Sequence, residues 1–219
     1  MKFAELSALY HQPLFDLMSQ SRAVHLRHWR GEEVQRCTLL SIKTGGCSED
    51  CAYCAHSAHY STGVEREDLL SREVVMAAAR RARSQGATRF CMGAAWRGVH
   101  DGSEKFERVL EIVREVSRLG MEVCVTLGEI GPAEARKLKA AGVTAYNHNI
   151  DTSPEFIPRL SAHTPFKIAS IQLPLYSKAG CQFVAAALSA WVNRKRTACE
   201  CWRCSATLIP RLKVCRSIA

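Results

Sequence analysis

The segment CSEDCAYC places Cys47, Cys51 and Cys54 in one short polar stretch, with three and then two residues between them. Thiolates are soft ligands that suit zinc, copper(I) and iron–sulfur clusters. Three chemistries fit. A structural zinc ion would take His56 or His59 as its fourth donor, although zinc sites usually draw on two C-x2-C-like pairs. A redox disulfide would leave one thiol over. An iron–sulfur cube held by three cysteines would keep one iron open, as catalytic metal sites keep one position free for substrate. A second candidate is YNHNID, residues 146–151. Strand side chains alternate between faces, so Asn147, Asn149 and Asp151 are expected on one face and Tyr146, His148 and Ile150 on the other. Three polar groups on one face of a buried strand need partners. Either a structural network or a ligand rich in donors and acceptors would provide them. His148 reads as a core or supporting residue. Cys91 and Cys124 each lie in a strand-like run with apolar neighbours, and taken alone such a cysteine is a small core residue.

The elements that must position these residues follow a regular cadence. Residues 1–30 read as amphipathic helix, with Pro13 dividing a short first helix from a second. CTLLSIKT is a strand that leads into Gly45-Gly46 and the cysteine segment. SREVVMAAARRARSQG is a helix with Ser71 as N-cap and Gly86 as its stop. TRFCMGAAW is a strand, and the helix after it opens at Ser103 and closes at Gly120. MEVCVTLGE is a strand, GPAEARKLKAAG a helix with Pro132 in its first turn, and VTAYNHNID a strand. Strand and helix alternate in units of roughly 30 residues, which is the signature of βα repeats on a parallel sheet. The expected fold class is α/β: a partial TIM-type (β/α) barrel of about the first four βα units, followed by an irregular tail. Ligand loops in such barrels lie at the carboxyl ends of the strands, and the cysteine segment follows the first strand.

The chain of 219 residues is 47% hydrophobic, enough for a packed core. No run of about 18 apolar residues suggests a membrane span. The first residues lack an apolar signal core, so a cytoplasmic location is expected. In that compartment eleven cysteines point to metal or redox chemistry more than to disulfides. Charge is unevenly placed. From Leu160 onward there are nine lysines or arginines and one acid, so nearly all of the net charge of +9 lies there. Cys181, Cys199, Cys201, Cys204 and Cys215 lie there too. The βα cadence stops after Pro158, and QFVAAALSAWV reads at most as a buried helix. The expected division is therefore 1–159 and 160–219.

The C-x3-C-x2-C spacing, with Tyr53 just before the last cysteine, resembles the radical S-adenosylmethionine family. TLLSIKTGGCSEDCAYCAHSAHYSTGV, ATRFCMGAAWR and AYNHNIDTSPEF narrow the likeness to the family's biotin synthase branch, over residues 1 to about 159. The resemblance implies a [4Fe–4S] cluster on Cys47, Cys51 and Cys54. Its open iron would chelate S-adenosylmethionine, and one electron from the cluster would cleave that cofactor to methionine and a 5′-deoxyadenosyl radical. It implies that dethiobiotin is the substrate and that sulfur is inserted between two of its carbons to form biotin. It implies a [2Fe–2S] cluster as sulfur source, with Cys91 and Cys124 among its ligands. Tyr53, Asn149 and Asp151 would bind the cofactor, and Asn147 and Asn149 the substrate. Amides suit a ureido ring, and a carboxylate suits a ribose diol. Cys37 matches no ligand of the branch and is expected to pack. A flavodoxin-type electron donor and a homodimer are implied; no nucleic acid and no membrane partner is expected.

The likeness ends near Arg159. The family's V-C-x-G-G strand, V-P-I-N segment and cluster-completing arginine are not spelled in this chain. A one-base shift of reading frame restores much of that text. Codons for SAHTPFKIAS permit S-T-H-T-F-Q-D-R-L-D, and codons beginning at Cys181 permit M-S-V-C-C-G-G-I-I-G-M-G-E. Residues 160–219 therefore read as out-of-frame translation. CECWRC and NRKR, which resemble a metal knot and a nucleic-acid patch, read as accidents of it. Activity is expected to be impaired, with the fourth strand left unpaired along one edge. The rival readings are a non-catalytic iron–sulfur or zinc protein and a non-functional fragment.

Overall fold

The computed structural model describes residues 3–32, 34–149, 161 and 182–184. Its elements are α1 (Phe3–Tyr10), α2 (Leu14–His28), β1 (Cys37–Lys43), α3 (Arg72–Ser84), β2 (Arg89–Ala94), α4 (Glu104–Arg118), β3 (Glu122–Thr126), α5 (Pro132–Ala141), β4 (Val143–Asn147) and β5 (Gln182–Val184). The sheet is parallel throughout and its strands stand in chain order. Successive right-handed crossovers in that order put α3, α4 and α5 on one face, and the other face becomes the inside of a barrel.

The expected helix ends are present. The Ser71 hydroxyl accepts from Val74 N at 3.4 Å, and Pro132 opens α5. Ser103 stands at the N-cap of α4, but its hydroxyl donates to His100 O at 2.7 Å and caps no helical N–H. The core lies between the sheet and α3–α5. Phe90, Met92, Val123 and Val125 point outward from the strands onto Val75, Phe106, Val109 and Leu138. Each large side chain so buried stabilises the fold by roughly 1.5–3 kcal/mol. Pro13 does separate two helices, but α2 buries no residue among the described ones. Leu14, Phe15 and Met18 stay exposed.

On β1 the residues at even offsets from Cys37 face the inside, and their register partners on the other strands share that face. Strand register sets them in rows. Cys37, Arg89 and Glu122 form one row, and Leu39, Cys91, Cys124 and Ala145 the next. The inside is thinly covered among the described residues, and Leu39 is 74% exposed.

Two expectations are corrected. The fourth strand does not end the sheet, because β5 pairs with it through Ala145↔Gln182, Tyr146↔Phe183 and Asn147↔Val184. Backbone groups on a strand edge accept any extended neighbour whatever its side chains. For the same reason the first residues of QFVAAALSAWV form strand instead of helix. Its remaining residues lie outside the described ones.

Candidate metal centre

The loops after β1, β2 and β3 are knitted together at the carboxyl ends of the strands. Ala95 N donates to Lys43 O at 2.9 Å, Glu129 N to Arg97 O at 2.8 Å, and Val99 N to Glu129 O at 3.2 Å. Arg97 Nε meets Glu49 Oε1 at 2.9 Å, which ties the second loop to the cysteine segment. Gly45 and Gly46 open that segment at φ +63° and +62°. A Cβ on Gly45 would stand 2.8 Å from Glu65 O, so this turn has room for glycine only. The Lys43 ammonium is buried and donates to Gly45 O and to Ala95 O, holding the turn from beneath. Burial, and then the nearby Arg66 charge, hold its pKa below the ordinary lysine value.

The cysteine segment folds back on itself. Cys47 N donates to His56 O and Ala58 N to Cys47 O, both at 2.8 Å, while Cys54 N donates to Cys51 O at 2.9 Å. Cys47, Cys51 and Cys54 are all half-buried. Burial pushes the Cys47 thiol up, and the neighbouring Cys54 adds to this, while Lys43 opposes it. Gathered thiolates thus call for a cationic centre to offset their repulsion. The zinc alternative fits less well. His56 Nδ1 accepts from Gly45 N at 3.1 Å, and His59 Nε2 lies 3.2 Å from Ser48 O. Among the described residues, no group of three or more His, Cys, Asp or Glu side chains is close enough to hold a single ion. A cluster of several irons spreads its ligands more widely, and three soft donors without a fourth suit one. Tyr53 is half-buried between Cys51 and Cys54.

Cys91 and Cys124 come together. They are direct partners in the β2–β3 register, both on the inside of the sheet. Their hydrogen bond, and then burial, hold the Cys91 thiol far above its ordinary range. Metal would have to displace the protons. Cys37 is half-buried on the same inside face, one row from Cys91. One row below, the buried Arg89 guanidinium meets Glu122 Oε2 at 2.5 and 2.9 Å, and Gln35 Nε2 donates to the same oxygen at 2.7 Å.

In YNHNID the strand ends at Asn147, so alternation does not carry through to 149. Asn147 is half-buried on the inside and Asn149 is exposed, so the shared face expected of them is not built by strand geometry. Asp151 lies outside the described residues. Tyr146 is 1% exposed; its hydroxyl donates to Gly128 O at 2.7 Å and accepts from Leu127 N at 3.2 Å. Burial lowers the His148 pKa, and a hydrogen bond with the Gly128 backbone opposes that shift. Reading the sequence missed Tyr146 as an anchor. Its signal was an aromatic hydroxyl in a strand expected to be buried, since a buried tyrosine usually finds a partner.

A family model described as the Radical SAM superfamily matches residues 41–169. Biotin synthase of Gloeobacter violaceus is 51% identical over 164 residues, 75% of this chain and 51% of that protein. The Sorangium cellulosum biotin synthase is 60% identical over 147 residues, covering 67% and 42% of the two chains. The mitochondrial biotin synthase of Arabidopsis thaliana is 51% identical over 156 residues, covering 71% and 41%. The chain spans about half the length of these relatives, or somewhat less. Among solved structures, methylornithine synthase superposes with a TM-score of 0.78 at 15% identity, covering 94% of this chain and 61% of its own. The hydrogenase maturase HydG gives 0.74 at 15%, covering 98% and 49%. These two show the shared fold alone.

Proposed function

This chain belongs to the Radical SAM superfamily, and we propose that within it the chain is of the biotin synthase lineage, built for sulfur insertion into dethiobiotin. Cys47, Cys51 and Cys54 would hold the [4Fe–4S] cluster that the superfamily implies, leaving one iron for S-adenosylmethionine. When bound, cluster and cofactor supply the hydrogen-abstracting chemistry. The protein's own part is positional. Lys43 and the Gly45–Gly46 turn set the entry of the cysteine segment. The Arg97–Glu49 pair clamps it to the loop after β2. Tyr53, Asn149 and Asp151 would contact the cofactor, and Asn147 and Asn149 the ureido ring of the substrate. Asn147 supports its role by standing half-buried on the inside of the sheet, one row above Cys124.

The observation that carries the reading is the Cys91–Cys124 pair. Two thiols in direct register on the inside of the barrel, below the cysteine segment, suit a second cluster of the [2Fe–2S] kind as sulfur donor. The electron would come from a flavodoxin-type protein, and a homodimer in the cytoplasm is the proposed state. No helix among the described residues is long and apolar enough to cross a membrane.

Residues 160–219 are proposed to be out of frame with this lineage, which leaves the chain impaired. What supports that idea is the text the shifted frame restores, and β5 coincides with it in position. The strand occupies Gln182–Val184, and the shifted frame spells the first cysteine of V-C-C-G-G with a codon straddling Phe183 and Val184. The test is anaerobic turnover of dethiobiotin with S-adenosylmethionine, by this chain and by one repaired by a single base near codon 160. Biotin from the repaired chain and little from the other supports the reading. Biotin from neither, with both clusters loaded, would sink it.

A further inference from the structure

We propose that Cys37 is a metal ligand, supplying a third thiolate to a cluster on Cys91 and Cys124. The inference rests on the second-cluster reading above and adds a residue to it. Cys37 opens β1, Cys91 lies on β2 and Cys124 on β3. All three face the inside of the sheet, because Leu39 pairs with Cys91, Cys91 pairs with Cys124, and Cys37 is two residues before Leu39. Cys37 is thus the diagonal neighbour of Cys91, a separation that side chains bridge across adjacent strands. Cys91 in turn is the direct register partner of Cys124, so the three thiols occupy neighbouring positions on one face of the sheet.

The spread of the three is the useful feature. They do not close on one ion, in keeping with the absence of any single-ion group among the described residues. A two-iron cluster divides its ligands between two metals. Cys91 and Cys124, side by side, would serve one iron, and Cys37, offset along the strand axis, would reach the other. The local charge suits this. Arg89 is the direct register partner of Cys37 and lies buried beside the row, where its donors can hydrogen-bond thiolate sulfur. Arg89 is itself held in place by Glu122. With iron supplied as ferric ion, loading involves ligand exchange only: each thiol releases its proton to solvent as its sulfur binds iron, and no further oxidant or reductant is consumed.

The test uses the full chain with Cys47, Cys51 and Cys54 all changed to serine, which removes the first cluster. The protein is reconstituted anaerobically with iron and sulfide. Iodoacetamide alkylation is then followed at each cysteine by peptide mass spectrometry, which reads Cys37 separately from the tail cysteines. Cys37, Cys91 and Cys124 should be protected together and released together by a chelator. Cys37→Ser should speed iron loss to chelator by at least the roughly 10–100-fold that even a supporting residue commands. It should also shift the visible absorption, while Cys91→Ser abolishes loading at this site. If Cys91 and Cys124 are protected while Cys37 reacts as in the iron-free chain, the Cys37 assignment alone is overturned. If none of the three is protected, the second-cluster reading falls, and this inference with it.

Discussion

Replacing Tyr146 with phenylalanine removes one oxygen from the deepest part of the strand that leads to the candidate substrate residues. The hydroxyl donates to Gly128 O at 2.7 Å and accepts from Leu127 N at 3.2 Å, in a setting where Tyr146 is 1% exposed. Deleting it leaves a buried donor and a buried acceptor, each costing about 1–3 kcal/mol if unpaired. Relaxation of the loop recovers part of this, so a net loss of about 2–3 kcal/mol is expected, a large share of the ~5–15 kcal/mol typical of a domain. The variant should lower the urea midpoint without changing the slope. The Leu127 amide should exchange roughly 30- to 150-fold faster, the same free energy read locally. A loss below about 0.5 kcal/mol with Leu127 protection unchanged would refute the anchoring role. If Asn147 and Asn149 bind substrate as proposed, that binding should weaken in parallel, through Gly128, whose backbone also bonds His148.

Glu134→Ala removes acceptors from Asp101 N at 2.7 Å and Gly131 N at 2.9 Å, and should cost about 1–3 kcal/mol by urea denaturation. Gly45→Ala forces a Cβ to within 2.8 Å of Glu65 O at positive φ. It should cost at least about 1–2 kcal/mol and reduce iron loading, whereas Gly63→Ala, with nothing near its Cβ, should do neither. Burial holds His148 below its ordinary pKa, so the unfolded chain binds that proton more readily than the native one. Its stabilising contribution is complete above the unfolded value of about 6.5 and is lost as pH falls below it. His148→Gln should therefore flatten the decline of the urea midpoint between about pH 7 and pH 5; an unchanged decline would count against the assignment.

Much of the scaffold is legible from local signals. Ser71 and Pro132 mark helix starts through groups within a few residues of themselves. The apolar faces of α3 and α4 follow from period alone. The cysteine segment is legible for the same reason, since all three candidate ligands come from eight consecutive residues. What could not be read depends on register between distant segments. Cys91 and Cys124 are 33 residues apart, and only strand pairing sets them side by side. Arg89 with Glu122, and Tyr146 with Gly128, are long-range pairings of the same kind. The role of β5 was hidden differently, because its pairing uses backbone groups that any residue carries. The alternation expected through YNHNID failed because the strand stops at Asn147, and strand ends are the least local feature of a sheet.

The central claim is that Cys47, Cys51 and Cys54 hold a cube with one iron open to S-adenosylmethionine. The most direct measurement is Mössbauer and EPR spectroscopy of the anaerobically reconstituted full chain, before and after adding S-adenosylmethionine. The triple Cys47→Ala, Cys51→Ala, Cys54→Ala variant is measured beside it. A [4Fe–4S] signal that the cofactor perturbs, and that the triple variant lacks, is the predicted result. A cube retained in the triple variant, or one indifferent to S-adenosylmethionine, would contradict it.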